Sequence, residues 1–330
     1  EALAEAKVHW NLHCQHWQRD YRGSSQVNQR PKKRRNGLLF RSGVSLGYQA
    51  GGNVERTARE RICSLAKSAR EIAMKHLIIP DTQVKPNTPI EHLSWAGQYA
   101  VKMRPDVIVH IGDHWDMESL SSYDKGKKSF EGRRYTKDIK AGIAGMEAFL
   151  KPIRDEQKRL IRNKDKQWNP RLVFTLGNHE NRIIRAIEDD PMLDGLIGFK
   201  DFNLEEMGWE VYDFLEVAVI DGLAYSHYFT SGVMGRPVSS ARNMLSKKMM
   251  SCIMGHVQDR DIAYGRRADG TNILGLFSGI FYQHDESYLT AQTNGSWRGI
   301  WMLNEVAGGG CDELPVSINY LREKFGGLNE

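Results

Sequence analysis

Nine residues of this 330-residue chain have types and order that could do chemistry: Asp81, Gln83, Asp113, Asp116, Asn178, His179, His227, His256 and Gln258. They fall in Asp81-Thr82-Gln83, Gly112-Asp113-His114-Trp115-Asp116, Gly177-Asn178-His179-Glu180, the lone His227, and Gly255-His256-Val257-Gln258. Carboxylate, amide and imidazole groups are ligands for divalent cations. Two cations held close together clamp the attacking and leaving oxygens of an in-line displacement. Asp113 lies 32 positions after Asp81, Asn178 65 after Asp113, and His256 78 after Asn178. Only a fold can gather them.

The elements that must do so are legible as apolar runs and periodicities. Strands are predicted at Lys75–Pro80, Asp106–Ile111 and Arg171–Leu176, with helices over Ile90–Met103, Thr136–Arg162 and about His179–Glu188. Strands alternating with helices predict an α/β sheet with helices outside. The second half is richer in hairpins. Val217–Ile220 and Leu223–His227 flank Asp221-Gly222, a two-residue hairpin turn. A helix over Pro237–Lys248 and strands at Ser251–Met254, Ile262–Tyr264, Asn272–Phe277, Trp297–Asn304 and Leu314–Ile318 complete the reading. Asp81, Asp113, Asn178 and His256 each follow an apolar run, and ligands of open α/β sheets collect beyond the carboxyl ends of strands.

This ordered set resembles the calcineurin-like metallophosphoesterases, whose pattern is Asp-x-His, Gly-Asp-x-x-Asp, Gly-Asn-His-Glu/Asp, a separate His, and Gly-His-x-His. The likeness covers roughly residues 76–305, and Gly177-Asn178-His179-Glu180 is its most specific match. It implies an α/β fold of two sheets sandwiched and flanked by helices, over a catalytic domain spanning 76–330. It also implies roles. Asp113 bridges two metals, Asp81 binds the first, and Asn178, His227 and His256 bind the second. His179 protonates the leaving-group oxygen or holds the phosphoryl group, and Asp116 orients it. His114 is a candidate either to reach substrate or to stack on Trp115. Arg182 is a candidate for phosphate or for a helix-surface salt bridge. Tyr282, His284, Asp285 and Glu286 follow a strand and are candidates to line the cleft.

The chain departs from the family pattern at two histidine positions, Gln83 and Gln258, both at the first metal. That site becomes all oxygen, from Asp81, Gln83, Asp113 and Gln258. Oxygen sites favour Mg²⁺ or Mn²⁺. Two divalent ions are therefore expected, Mn²⁺ or Mg²⁺ at the first site and Mn²⁺, Fe or Zn²⁺ at the second. The contrary expectation is an inactive relic that holds one metal.

Protein Ser/Thr phosphatases of the superfamily carry Gly-Asp-x-Val-Asp-Arg-Gly, and the Arg is absent from Gly112-Asp-His-Trp-Asp-Met-Glu118. Its repair nucleases usually have His where Asp116 stands. The remaining likeness is to phage and prophage members opening on Asp-Thr-Gln. Charge bears on the substrate. Residues 1–75 carry +9 and residues 76–330 carry −4, within a net +5. The first 75 residues read as a basic extension, weakly structured to residue 53 and helical over 54–75, with a dense run at Arg30–Arg35. A second basic group, Lys125, Lys127, Lys128, Arg133 and Arg134, lies in a loop. These features suit a polyanion. The expected activity is hydrolysis of phosphodiesters in nucleic acid. The alternatives are a small-molecule phosphomonoesterase and a nucleic-acid-binding protein with a structural metal site.

Four scattered cysteines without a CxxC pair predict neither a zinc ribbon nor a disulfide framework. No apolar run approaches a membrane span, and the start at Glu1 reads as a processed or trimmed product. A cytoplasmic setting, in a bacterial or phage-infected cell, is the expectation.

Overall fold

Val107, Val109 and Ile111 point one way and Ile108 the other, and both faces are buried. A strand covered on both faces needs a layer on each side, and the computed structural model supplies them. It describes residues 73–122, 126–286 and 295–327. Residues 1–72 of the basic extension, with the run Arg30–Arg35, and Lys125 lie outside the described residues.

In chain order the elements are β1 (Met74–Ile79), α1 (Glu91–Met103), β2 (Val107–His110), α2 (Tyr135–Asn163), β3 (Arg171–Thr175), α3 (Arg182–Asp189) and β4 (Glu210–Tyr212). There follow β5 (Ala218–Ile220), β6 (Leu223–Tyr225), α4 (Ala241–Lys248), β7 (Cys252–Met254), β8 (Arg260–Arg266) and β9 (Asn272–Ser278). The chain closes with β10 (Gly299–Ala307), β11 (Gly310–Ser317) and α5 (Ile318–Phe325).

Among the described residues, one sheet has six strands in the order β11-β10-β1-β2-β3-β4, and the other has five in the order β5-β6-β7-β9-β8. β1 to β4 run parallel, as do β6, β7 and β9. The inner faces meet in a core of Ile78, Val109, Ile220, Tyr225, Ile253 and Trp301, among others. Leu77, Ile79 and Ile108 face outward onto α1 and α2 through Leu93, Ala96, Phe149 and Ile153. On the far side, Ala241, Met244 and Leu245 of α4 cover Cys252, Met254 and Phe277. This is the expected two-sheet sandwich flanked by helices.

The helix expected at His179–Glu188 begins only at Arg182, because a tight turn closed by Asn181 N–H to Gly177 O (3.0 Å) precedes it. The helix expected from Pro237 starts at Ala241, where the Ser240 hydroxyl accepts from Asn243 N–H at 3.2 Å. β1 begins at Met74, so the folded domain reaches just inside the segment assigned to the extension. Among the described residues no helix is long and apolar enough to cross a membrane.

Candidate metal centre and acid pair

Every motif sits just past a parallel strand. Asp81 follows β1, Asp113 follows β2, Asn178 follows β3, His227 follows β6 and His256 follows β7. Parallel strands point their carboxyl ends the same way, so side chains distant in sequence converge at one edge. Backbone bonds then join the loops. Thr82 and Gln83 N–H donate to Asp113 O at 3.2 and 2.9 Å, and Val84 N–H donates to His114 O at 2.6 Å.

Glu180 joins the second and third motifs, a role the sequence does not announce. One carboxylate oxygen accepts from Asp113 N–H (2.9 Å) and Gly177 N–H (2.8 Å). The other accepts from His114 N–H (2.7 Å) and Trp115 N–H (2.9 Å). Burial and the Asp113 charge push its pKa up, and the N–H groups of Trp115 and Gly177 oppose that rise. Glu180→Ala would strand four buried donors, so we expect a loss of at least about 3 kcal/mol. Urea unfolding checks this as a lower midpoint at unchanged slope. Glutamine should not restore stability, because its NH₂ would meet one pair of N–H groups donor to donor.

Asp113, His227 and His256 present ligand atoms that all lie within 4.8 Å of one another. Asn178 Oδ1 completes the group, 2.9 Å from His227 Nε2 and 2.7 Å from His256 Nδ1. His227 Nδ1 lies 2.9 Å from Ile111 O, and a carbonyl only accepts, so Nδ1 carries a proton. Nε2 then faces two acceptors, Asn178 Oδ1 and, at 3.3 Å, Asp113 Oδ2. A second proton or a cation must sit among them. Burial opposes that proton, yet Asp113 and Asp81 outweigh it and raise His227 to about 9. Burial and the His227 charge lower His256 to about 4, leaving it neutral and ligand-competent. The donor set therefore fits a divalent cation, which would replace the proton on His227.

Asp81 is fully buried beside this group and not among its three members. Its carboxylate accepts from His256 N–H at 3.2 and 3.1 Å. Burial, opposed by the His227 charge and reinforced by Asp113, pushes Asp81 up to about 7. Gln83 is fully buried and Gln258 half-buried in the flanking loops. Gln83, Asp113, His256 and Gln258 all have left-handed backbone, with φ of 38°, 49°, 68° and 62°. Such φ costs a non-glycine residue roughly 1–2 kcal/mol. Strain gathered on four candidate ligands marks loops built to aim side chains.

Two motif glycines are demanded by close approach. A Cβ on Gly177 would lie 2.1 Å from Asp113 Oδ1 and 2.4 Å from its N, and one on Gly255 would lie 2.1 Å from Asp81 Oδ1. Gly177→Ala should displace the Asp113 carboxylate and weaken Mn²⁺ binding, by calorimetry, by at least about 10-fold, the scale set by mispositioned metal ligands.

His179 and Asp116 lie alongside. His179 Nδ1 is 2.8 Å from Asp116 Oδ1, and His179 N–H donates to Asp113 Oδ1 at 2.9 Å. Burial works against a charged His179, but Asp113 and Asp116 prevail and raise its pKa. Arg182 reaches the same place. Its Nη1 donates to Asp116 O at 2.6 Å, and its Nη2 lies 3.2 Å from His179 Nε2. Arg182 Nη1 also pairs with Asp116 Oδ1 at 3.7 Å, as the salt-bridge alternative has it, although within the site and not on a helix surface.

For His114, the substrate-contact expectation needs correction. The residue is fully buried, its Nδ1 is 2.7 Å from Thr82 Oγ1 and its Nε2 is 2.8 Å from Gly142 O. It meets Trp115 edge to face, with centroids 4.6 Å apart and the planes at 78°, a packing contact and not the expected stack. Hydrogen bonding has used both ring nitrogens, and no atom is left to meet a ligand. Lys85, which carries no motif signal, ties Asp116 to Glu286. His284 joins the same group through Glu286 at 2.7 Å.

No protein-family model and no curated protein sequence matches the chain. Among solved structures it is similar to Vps29 from Entamoeba histolytica complexed with zinc, at 12% identity and TM-score 0.31, over 74% of this chain and 100% of that one. It is also similar to a predicted phosphoesterase from Streptococcus pneumoniae, at 10% identity and TM-score 0.27, over 74% of this chain and 98% of that one.

Proposed function

We propose that this chain is a metal-dependent phosphoesterase of the calcineurin-like kind, cleaving phosphodiester bonds of nucleic acid. One observation carries the reading: a buried His179–Asp116 pair, 2.8 Å apart, set against the converged ligands Asp113, Asn178, His227 and His256. Those four would hold one ion (Mn²⁺, Fe or Zn²⁺). Asp81, Gln83, Asp113 and Gln258 would hold the other, Mn²⁺ or Mg²⁺. The bound ions supply Lewis-acid charge and a water acidic enough to attack near neutrality.

The chain's own residues do the rest. Asp116 holds Nδ1 of His179, so Nε2 is the atom that gives its proton to the departing oxygen. When Nε2 is protonated it no longer accepts from Arg182, and the guanidinium is then placed for a phosphoryl oxygen. Arg133 packs on Glu118 (Nε–Oε2 3.7 Å), two residues past Asp116, which brings the 126–134 loop to the rim. Lys127, Lys128 and Arg134 are exposed there, which supports a polyanionic substrate.

A hydrolysis panel tests this, with Mn²⁺, Mg²⁺ and Zn²⁺ against single-stranded DNA, duplex DNA, a phosphodiester reporter and a phosphomonoester reporter. Mn²⁺- or Mg²⁺-dependent diester cleavage is expected. Cleavage of the monoester alone would replace the substrate assignment, and tight zinc at both positions would overturn the oxygen-site assignment. Metal binding should also be linked to protons. Asp81 at about 7 and His227 at about 9 hold protons that an ion must displace, so affinity should rise with pH between them. Calorimetry in buffers of different ionisation enthalpy would read the released protons.

A further inference from the structure

We propose that Lys85 is a positioning residue for the His179–Asp116 pair and that Glu286 clamps it in that role, an inference that rests on the phosphoesterase reading above. The Lys85 side chain is only 12% exposed. Its Nζ donates to both Glu286 oxygens, at 2.7 and 2.6 Å, and lies 3.3 Å from Asp116 Oδ2 and 3.5 Å from Glu118 Oε1. Asp116 is thus held at both oxygens, Oδ1 on His179 and Oδ2 on Lys85.

That division of labour matters because a carboxylate's last torsion is broad and roughly two-fold. With Lys85 removed, Oδ2 loses its ammonium partner. The carboxylate can then turn, and the direction of His179 Nε2 is no longer set. Charge makes the loss worse. Asp116, Glu118 and Glu286 share Lys85, with Asp138 also acting on Asp116's neighbour Glu118. The other cations nearby stand farther from these carboxylates than Lys85 does, with Arg182 Nη1 3.7 Å from Asp116 Oδ1. Arg133 is 3.7 Å from Glu118 Oε2, and Arg182 Nη1 serves backbone carbonyls of Asp116 and Met117. Burial works against the ammonium, and the surrounding carboxylates overcome it and raise its pKa.

The clamp also connects distant chain. Glu286 lies 201 residues from Lys85, on the segment that leaves the second sheet after β9. Phe281 N–H on the same segment donates to Asp81 O at 2.8 Å. The acid pair is therefore registered against both sheets through one ammonium. A lysine serving only as a staple between loops would predict a stability loss with no selective effect on proton transfer.

The test compares wild type with Lys85→Met, Lys85→Arg and Glu286→Gln. Rates are measured on a diester with an alkoxide leaving group and on a 4-nitrophenyl diester, which needs little acid assistance. A parallel ¹⁵N NMR measurement reads the His179 ring. Lys85→Met should lower kcat on the alkoxide substrate by up to about 100-fold, the scale of a misplaced reacting group, with KM little changed. The loss on the 4-nitrophenyl ester should be much smaller, and Lys85→Arg should restore part of it. Glu286→Gln should shift kcat in the same direction by less, which keeps the proposal testable if Lys85→Met does not fold. The His179 Nδ1–H signal should change in Lys85→Met and recover in Lys85→Arg. Equal losses on both esters, or an unchanged His179 signal, would overturn the positioning role. If the wild type hydrolyses neither ester, the phosphoesterase reading fails, while the NMR comparison still decides whether Lys85 sets His179.

Discussion

His179→Ala should lower the rate on a phosphodiester with an alkoxide leaving group by about 10²–10⁴-fold, the usual worth of a positioned general acid. The loss should shrink on a 4-nitrophenyl ester, whose leaving group departs without a proton. The dependence on leaving group separates acid catalysis from mere damage. Damage is a real concern, because His179 N–H also holds Asp113 Oδ1 at 2.9 Å. That bond belongs to the backbone and survives the substitution, so metal binding should persist in His179→Ala. Equal activity of variant and wild type on the alkoxide substrate would remove the acid role from His179. Asp116→Asn should follow the same pattern. An amide can still accept from Nδ1, but it no longer stabilises a protonated ring.

Asp113→Asn should have an effect as large or larger and of a different kind. Asp113 faces His227 at 3.3 Å and His179 Nε2 at 3.7 Å, and it is the carboxylate of the converged group. Burial resists its charge, yet His179 and His227 hold its pKa well below the usual carboxylate range. Asparagine keeps the shape and removes the charge. We expect the number of Mn²⁺ ions bound to fall and activity to drop by about 10³-fold, since about 4 kcal/mol of transition-state charge stabilisation would go. The drop should appear on both leaving groups, unlike that of His179→Ala. His227 should also lose part of the upward pull on its pKa, visible in an NMR titration of the metal-free protein. Full Mn²⁺ occupancy with normal turnover in Asp113→Asn would refute the assigned centre.

Much of the architecture could be read from the chain. β1, β2 and β3 are short apolar runs each followed by a helix, and burial on both faces leaves such runs little alternative. The Asp221-Gly222 turn marked the β5–β6 hairpin for a different reason, since these residue types accept the positive φ found at both positions. Two elements were not legible. β4, Glu210–Tyr212, is three residues at a sheet edge, too short for any period to show. α5 begins at Ile318, the last residue of the strand read at Leu314–Ile318, which holds as β11 through Ser317; there the Ser317 hydroxyl accepts from Tyr320 N–H at 3.2 Å and starts a helix.

The candidate site divides along the same line. Residue type by itself determined which groups could bind cations, since ligand chemistry belongs to the side chain, and the resemblance implied that Asp116 orients His179. Where those groups point was decided only by the tertiary structure. His114 is consumed by Thr82 and Gly142, and Glu180 is spent on four backbone donors. Lys85 enters the site through a partner 201 residues away. None of these can be inferred from spacing, because a hydrogen bond depends on distance and direction in space, and parallel strand ends bring together groups whose separation along the chain carries no such information.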